Sequence, residues 1–396
     1  MPEEPQSIVT PSSQPASTAT APAKPAPKSP AKPADPTLIV SSSPHFHTAS
    51  TVDKIMRWVL IALMPGCLAG IYFFGLDALR VILVTTFACV LFEYLAAKAM
   101  KQPVAIMDGS AAVTGVLLAM NLPSATPMWL CLVGAFVAIV IGKMIYGGLG
   151  CNPFNPALVG RVALLIGFAG IMTTWSQPRA PEYMLKKDAE VLQVQEAVTD
   201  PVPITGPTPL AFSKVARTDA SKDAQNLLAD IAEASDYQEP LSYWKLFLGF
   251  GKAGSLGETC GLALLLGGIL LVVLKIIRWQ IPVFYLGTVV VITGIPWLAN
   301  PQSYANPLFH LLTGGLLLAA FFMATDMVTT PVSRLGAILF AVGCGVLTSC
   351  IRLWGSYPEG ATFAILIMNA FTPLIDRYTQ GRPFGMPKKK GLQFAK

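Results

Sequence analysis

From Met56 to Asp376 the chain is a succession of long apolar runs broken by short connections, and this constrains its fold more than any other feature. A helix needs about 20 apolar residues to cross about 30 Å of hydrocarbon. Ten runs qualify as candidate spans: 56–74, 78–98, 109–122, 127–146, 157–175, 255–275, 281–299, 307–324, 335–354 and 360–376. The third is short and glycine-punctuated, so it reads as a broken or re-entrant helix. Composition agrees. Apolar residues make up 53% of the 396 and charged residues only 13%, about half the usual share of a soluble domain. Mean hydropathy is +0.56. A chain so poor in charge cannot cover a soluble surface. A secreted disulfide scaffold, a nucleic-acid binder and an ordinary cytosolic enzyme are excluded. The seven cysteines are scattered and form no CxxC, so the chain encodes neither an iron–sulfur nor a zinc site of its own.

The connections carry orientation. Lys54 and Arg57 precede the first run. Lys98/Lys101, Lys143/Arg161, Lys275/Arg278 and Arg334 follow runs two, four, six and eight, and a basic tail follows the tenth. The opposite short connections, 123–126 and 299–306, hold no Lys or Arg. The positive-inside rule then predicts ten spans with both termini in the cytoplasm. The expected organisation is a Pro/Ala-rich tail over 1–44, a five-span half over 45–175, an extracytoplasmic loop over 176–254, a second five-span half over 255–377 and a basic tail over 378–396. Residues 176–240 hold six Lys/Arg against eleven Asp/Glu. Ten Pro in residues 1–37 mark that tail as a spacer that cannot bury a core. The fold class is an all-α polytopic membrane protein of about ten helices in two inverted five-helix halves. The run Thr114-Gly115-Val116-Leu117-Leu118-Ala119 is echoed by Thr313-Gly314-Gly315-Leu316-Leu317-Leu318-Ala319, which supports related halves.

Several segments carry chemistry. Gly147-Gly148-Leu149-Gly150-Cys151-Asn152-Pro153-Phe154-Asn155-Pro156 leaves backbone groups unpaired at a membrane face. It is either a tight re-entrant turn or a ligand site using Asn152 and Asn155. Asp326 ends the eighth run, with Arg334 as its nearest partner in sequence. Glu93 lies inside the second run, where a carboxylate is a candidate ion relay or is paired by Lys98. Asp108 and Glu359 raise the same question. In the acidic loop, Asp200-Pro201-Val202-Pro203-Ile204-Thr205-Gly206-Pro207-Thr208-Pro209-Leu210 reads as a rigid turn presenting two exposed hydroxyls.

Thr205-Gly206-Pro207-Thr208 resembles the Ser/Thr-Gly-Ala-Thr motif of the RnfD/NqrB family of membrane redox subunits, with Pro207 in place of Ala. The resemblance extends over roughly 43–380. It includes Met107-Asp108-Gly109-Ser110, Gly148-Leu149-Gly150 through Asn155-Pro156-Ala157-Leu158-Val159-Gly160-Arg161, Phe322-Met323-Ala324-Thr325-Asp326 and Tyr357-Pro358-Glu359-Gly360. It implies an electron-transfer subunit of a complex that couples ferredoxin/NAD redox chemistry to ion translocation. The family carries FMN as a phosphoester on the last Thr of the motif, here Thr208, placed there by a flavinyltransferase, with Thr205 and Gly206 shaping the turn. A second, non-covalent flavin such as riboflavin is also expected among the spans. The implied partners are an extracytoplasmic flavoprotein and iron–sulfur subunits, in the cell inner membrane. The rival reading is a small-solute transporter or channel of urea-transporter-like fold, since paired halves with broken central segments suit solute passage. A purely structural anchor is the third.

Overall fold

In the computed structural model the described residues are 51–102, 106–178, 208–218, 224–234, 241–250, 252–355, 357 and 359–379. Thr205, Gly206, residues 1–44 and the tail beyond 379 lie outside them. Every described regular element is helical.

The first group comprises α1 (Val52–Phe74), α2 (Leu76–Ala99), α3 (Ser110–Met120), α4 (Met128–Phe136), α5 (Pro156–Gly167) and the short α6 (Ala169–Met172). Gly75, at φ 72°, makes the one-residue corner between α1 and α2. Asp108 sets the start of α3: its Oδ1 accepts from the Ser110 backbone N–H at 2.8 Å and from the Ser110 hydroxyl at 2.6 Å. At the fourth helix a π-helical turn, Val137–Ile141, replaces the regular ladder. Asn155 caps α5, accepting from the Ala157 N–H at 3.1 Å with Pro156 in the first turn, a standard helix-start arrangement.

Three amphipathic helices then cross the polar loop: α7 (Pro209–Thr218), α8 (Leu227–Ala234) and α9 (Tyr243–Leu248). The last group is α10 (Gly261–Val273), α11 (Gln280–Ala299), α12 (Pro307–Leu312), α13 (Leu316–Leu318, continuing as a π-helical turn over Ala319–Met323), α14 (Arg334–Trp354) and α15 (Ala361–Thr379). The expected eighth span is therefore a broken segment: Gly314, at φ 70°, separates α12 from α13. Its sequence counterpart Gly115 sits within the continuous α3, so the two matching stretches adopt different backbones.

Among the described residues, five helices are long and apolar enough to cross a membrane: Val52–Phe74, Leu76–Ala99, Met128–Tyr146, Gln280–Ala299 and Arg334–Trp354. Ser110–Met120, Pro156–Gly167 and Gly261–Val273 are shorter apolar helices. Met64 and Leu68 of α1, Leu83 and Phe87 of α2 and Val291 and Ile295 of α11 are exposed. Such outward apolar rows suit lipid, where the bilayer takes the place of a polar surface.

Helices approach closely where side chains vanish. A Cβ on Gly267 of α10 would overlap the Ala62 carbonyl oxygen of α1, and one on Gly115 would stand 2.6 Å from Thr86 Cα. Between α11 and α14, the buried Tyr285 hydroxyl lies 2.7 Å from Thr348 Oγ1.

Candidate functional site

Two regions stand out. One is a cleft where α3, the loop after α4 and the segment after α13 converge. The other surrounds Thr208.

The cleft encloses about 710 Å³, part of it open to solvent. Val113, Leu117, Leu271 and Phe322 give it apolar walls, and Ser110, Thr114, Lys143, Asn152, Asn155 and Asp326 supply polar groups. Asn155 does two jobs. Its Oδ1 caps α5, and its Nδ2 donates to the Met323 carbonyl at 3.3 Å, tying the first-group loop to the π-helical turn of α13. Asn152 donates to the Phe154 carbonyl at 3.0 Å, while its buried Oδ1 has no donor. The Gly/Asn/Pro segment is a turn, and Leu149, Asn152, Asn155 and Pro156 of it line the cleft.

Glu93 is buried, and its partner is Lys143, not Lys98. Lys143 Nζ stands 2.8 Å from Glu93 Oε1 and 2.6 Å from the Ser110 hydroxyl. Lys98 instead lies over the Tyr94 ring, 6.0 Å from its centroid. Five residues on a helix amount to about 140° of rotation, so Glu93 and Lys98 face different directions. Asp326 likewise bypasses Arg334. It accepts from the Val328 N–H at 3.4 Å and the Thr329 hydroxyl at 3.3 Å. Lys143 and Arg161, counted in the sequence among the cytoplasmic loop charges, are both buried at 1% exposure. Arg161 pairs with Glu359 at 2.9 Å and lies over the Trp175 ring. The sequence signal that could have found both was a cation flanked by apolar neighbours on each side.

Thr208 is not an exposed hydroxyl. It is 3% exposed and starts α7, where its Oγ1 accepts from the Ala211 N–H at 3.3 Å. The reason is Leu210, which anchors α7 in an apolar cluster with Leu227, Ile231, Leu241, Leu246 and Phe309. Lys214, one turn on, donates to the Gly355 carbonyl at 2.7 Å. Burial and then the charge of Arg217 hold its pKa below the usual lysine value. A small recess beneath α7 is lined by Lys214, Arg217, His310 and Arg352. The structure thus gathers Asn152, Asn155, Asp326 and, through Lys143, Glu93 about the cleft, and leaves Thr208 apart.

Against known proteins, the profile of the NQR2, RnfD, RnfE family matches residues 39–385. The chain is a member of that family. Among its relatives in the family is the D subunit of the proton-translocating ferredoxin:NAD(+) oxidoreductase complex of Clostridium ljungdahlii, 42% identical over 346 residues, covering 87% of this chain and 96% of the relative. The D subunit of the ion-translocating oxidoreductase complex of Stutzerimonas stutzeri is 41% identical, covering 85% and 93%. The D subunit of the Na(+)-translocating ferredoxin:NAD(+) oxidoreductase complex of Acetobacterium woodii is 38% identical, covering 89% and 97%.

Proposed function

We propose that this chain is the membrane-embedded, flavin-carrying electron-transfer subunit of an ion-translocating ferredoxin:NAD⁺ oxidoreductase complex, with FMN joined through its phosphate to Thr208. The observation that carries this reading is the setting of Thr208 at the N-terminus of the ten-residue α7. A phosphoester is anionic, and a helix N-terminus is a favourable place for it. When bound, flavin supplies one- and two-electron transfer. The chain itself orients the attachment point: Leu210 anchors α7, and Lys214 ties it to Gly355.

The cleft fits a second, non-covalent flavin such as riboflavin. Its apolar walls suit a planar ring system, and Ser110, Thr114, Asn152 and Asn155 line it with polar groups. Glu93, Asn155 and Asp326 belong to this region as candidates for the cofactor or ion path. The reading places the protein in the inner membrane with both termini cytoplasmic, two inverted halves, and the Thr208 segment extracytoplasmic. There it would meet an extracytoplasmic flavoprotein, with iron–sulfur subunits completing the chain and a flavinyltransferase serving maturation.

The test is co-expression with a flavinyltransferase, followed by a denaturing gel viewed under ultraviolet light. A fluorescent band that Thr208→Ala abolishes supports the reading. A dark wild-type band overturns it.

A further inference from the structure

The recess beneath α7 gathers positive charge that the proposed electron carrier does not use. Its volume is about 250 Å³, part of it open to solvent, below the ~300–1,000 Å³ of sites for larger organic ligands. Lys214 and Arg217 line it from α7, three residues apart and so on one face of that helix. Arg352 of α14 and His310 of α12 line it as well, each 3% exposed, with Ser303 and Tyr304 from the connection after α11. Among the described residues no acidic side chain lines it. The surrounding loop has the opposite balance: residues 176–240 hold eleven Asp/Glu against six Lys/Arg.

A buried cation needs a paired opposite charge or a full set of acceptors to offset its desolvation. Arg352 has neither. It gives Nη1 to the His310 carbonyl at 2.6 Å and Nη2 to the Thr313 carbonyl at 3.2 Å, and its Nε has no acceptor. Carbonyl oxygens orient a guanidinium without neutralising it. Among the described residues neither Arg352 nor Arg217 forms an ion pair. Arg217, in the last turn of α7, also suits the C-terminus of that helix. That explains neither the burial of Arg352 nor the convergence of cations from two helices on one recess. Converging like charges repel, and a bound anion would be attracted to each of them. Ser303 Oγ accepts from Asn300 Nδ2 at 3.0 Å, which leaves its own O–H to donate to such an anion. A phosphate group, with several acceptor oxygens, matches guanidinium, ammonium and hydroxyl donors together.

The recess lies at a membrane boundary. Arg352 is in the last turn of α14, and Ser303 and Tyr304 follow the end of α11 at Ala299. Both helices are long and apolar enough to span. Toward the ends of the same helices Ile295, Leu298 and Trp354 are exposed, which offers acyl chains a surface and sets a tryptophan at interfacial depth. We propose that Lys214, Arg217 and Arg352 form a binding site for the phosphate of an anionic phospholipid headgroup. Basic pockets at the ends of spanning helices take such headgroups. A zwitterionic lipid brings an ammonium that these cations repel. Bound there, the phosphate bridges α7 to α14 and holds the polar-loop helix to the membrane domain. The inference does not depend on a flavin at Thr208.

Native mass spectrometry of the assembled complex in an uncharged detergent tests the proposal, with dioctanoyl phosphatidylglycerol as the probe. Wild type should hold one probe molecule that the Lys214→Gln/Arg217→Gln double variant releases. Its affinity should fall about fivefold in either single variant and about 30-fold in the double, at roughly a factor of five per cation near an anionic headgroup. Arg217→Lys, which keeps the charge, and Arg80→Gln, a cation outside the recess, should bind as wild type does. Dioctanoyl phosphatidylcholine should bind more weakly, and inorganic phosphate should compete poorly because it has no acyl chains to bury. Equal binding in wild type and the double variant, or an equal loss in Arg80→Gln, overturns the site. Equal binding of phosphatidylcholine overturns the anionic headgroup. Displacement of the probe by an equal concentration of inorganic phosphate overturns the lipid as occupant and assigns the recess to free phosphate. Arg217 is partly exposed, so its variants carry the test even where Lys214→Gln, which loses the bond to Gly355, fails to assemble.

Discussion

Lys143 Nζ lies 2.8 Å from Glu93 Oε1, with side chains 1% and 5% exposed. The pair joins the π-helical end of the fourth helix to α2 and borders the cleft through Lys143. Breaking one side of such a pair leaves a bare buried charge, at a cost of about 3–5 kcal/mol. Glu93→Gln or Lys143→Met alone should therefore destabilise the protein by that order, read as a lowered unfolding midpoint in detergent. Combining the two should cost less than either alone. Additive losses would mean that the pair contributes no mutual compensation.

Thr208 is buried, and Leu210 two residues on anchors its helix in an apolar cluster. A transferase must therefore reach its hydroxyl before α7 docks or while it is detached. Leu210→Ala weakens the anchor and should speed the appearance of gel fluorescence relative to wild type. An unchanged or slower time course would show that docking does not limit modification.

Gly267 has no room for a methyl group, because its Cβ would collide with the Ala62 carbonyl oxygen. Gly267→Ala should force α1 and α10 apart and cost about 1–3 kcal/mol. Gly287, on the exposed side of α11, has nothing within 4 Å of where a methyl carbon would stand. Gly287→Ala should be neutral or stabilise by up to about 1 kcal/mol through helix propensity. Unfolding midpoints of the two variants check the contrast.

Lys252 is buried outside the long helices, and burial pulls its pKa from 10.5 to about 8, opposed by Glu258 and Cys260. The unfolded chain therefore binds more protons than the folded one between about pH 8 and pH 10.5, and stability rises with pH through that window. Below pH 8 the full cost of the buried charge is present. Lys252→Met should remove this rise from a series of unfolding midpoints. A wild-type midpoint flat or falling across the window would contradict the assignment.

Cys151 is exposed, whereas Cys67, Cys89, Cys131 and Cys344 are buried. It sits on the loop that lines the cleft. A membrane-impermeant maleimide should label it in inside-out vesicles and not in intact cells, with Cys151→Ser as the blank. Labelling from the outside would reverse the proposed orientation.

Class, helix content and family were legible in the sequence because each is carried by a one-dimensional pattern. Apolar run length decides what can sit in a bilayer, and the family motifs are contiguous strings. Asn155 as a cap before Pro156 was also readable locally. Partnerships were not. Glu93 had Lys98 and Asp326 had Arg334 close in sequence, yet helix rotation turned Lys98 aside and a local turn satisfied Asp326. The true partners lie 50 residues away for Glu93 and 198 away for Arg161. Only the packed structure decided these pairings, the convergence of three segments on one cleft and the burial of Thr208. The physical reason is that neutralising a buried charge depends on distance through space, and a hydrophobic pattern does not record which helices will become neighbours.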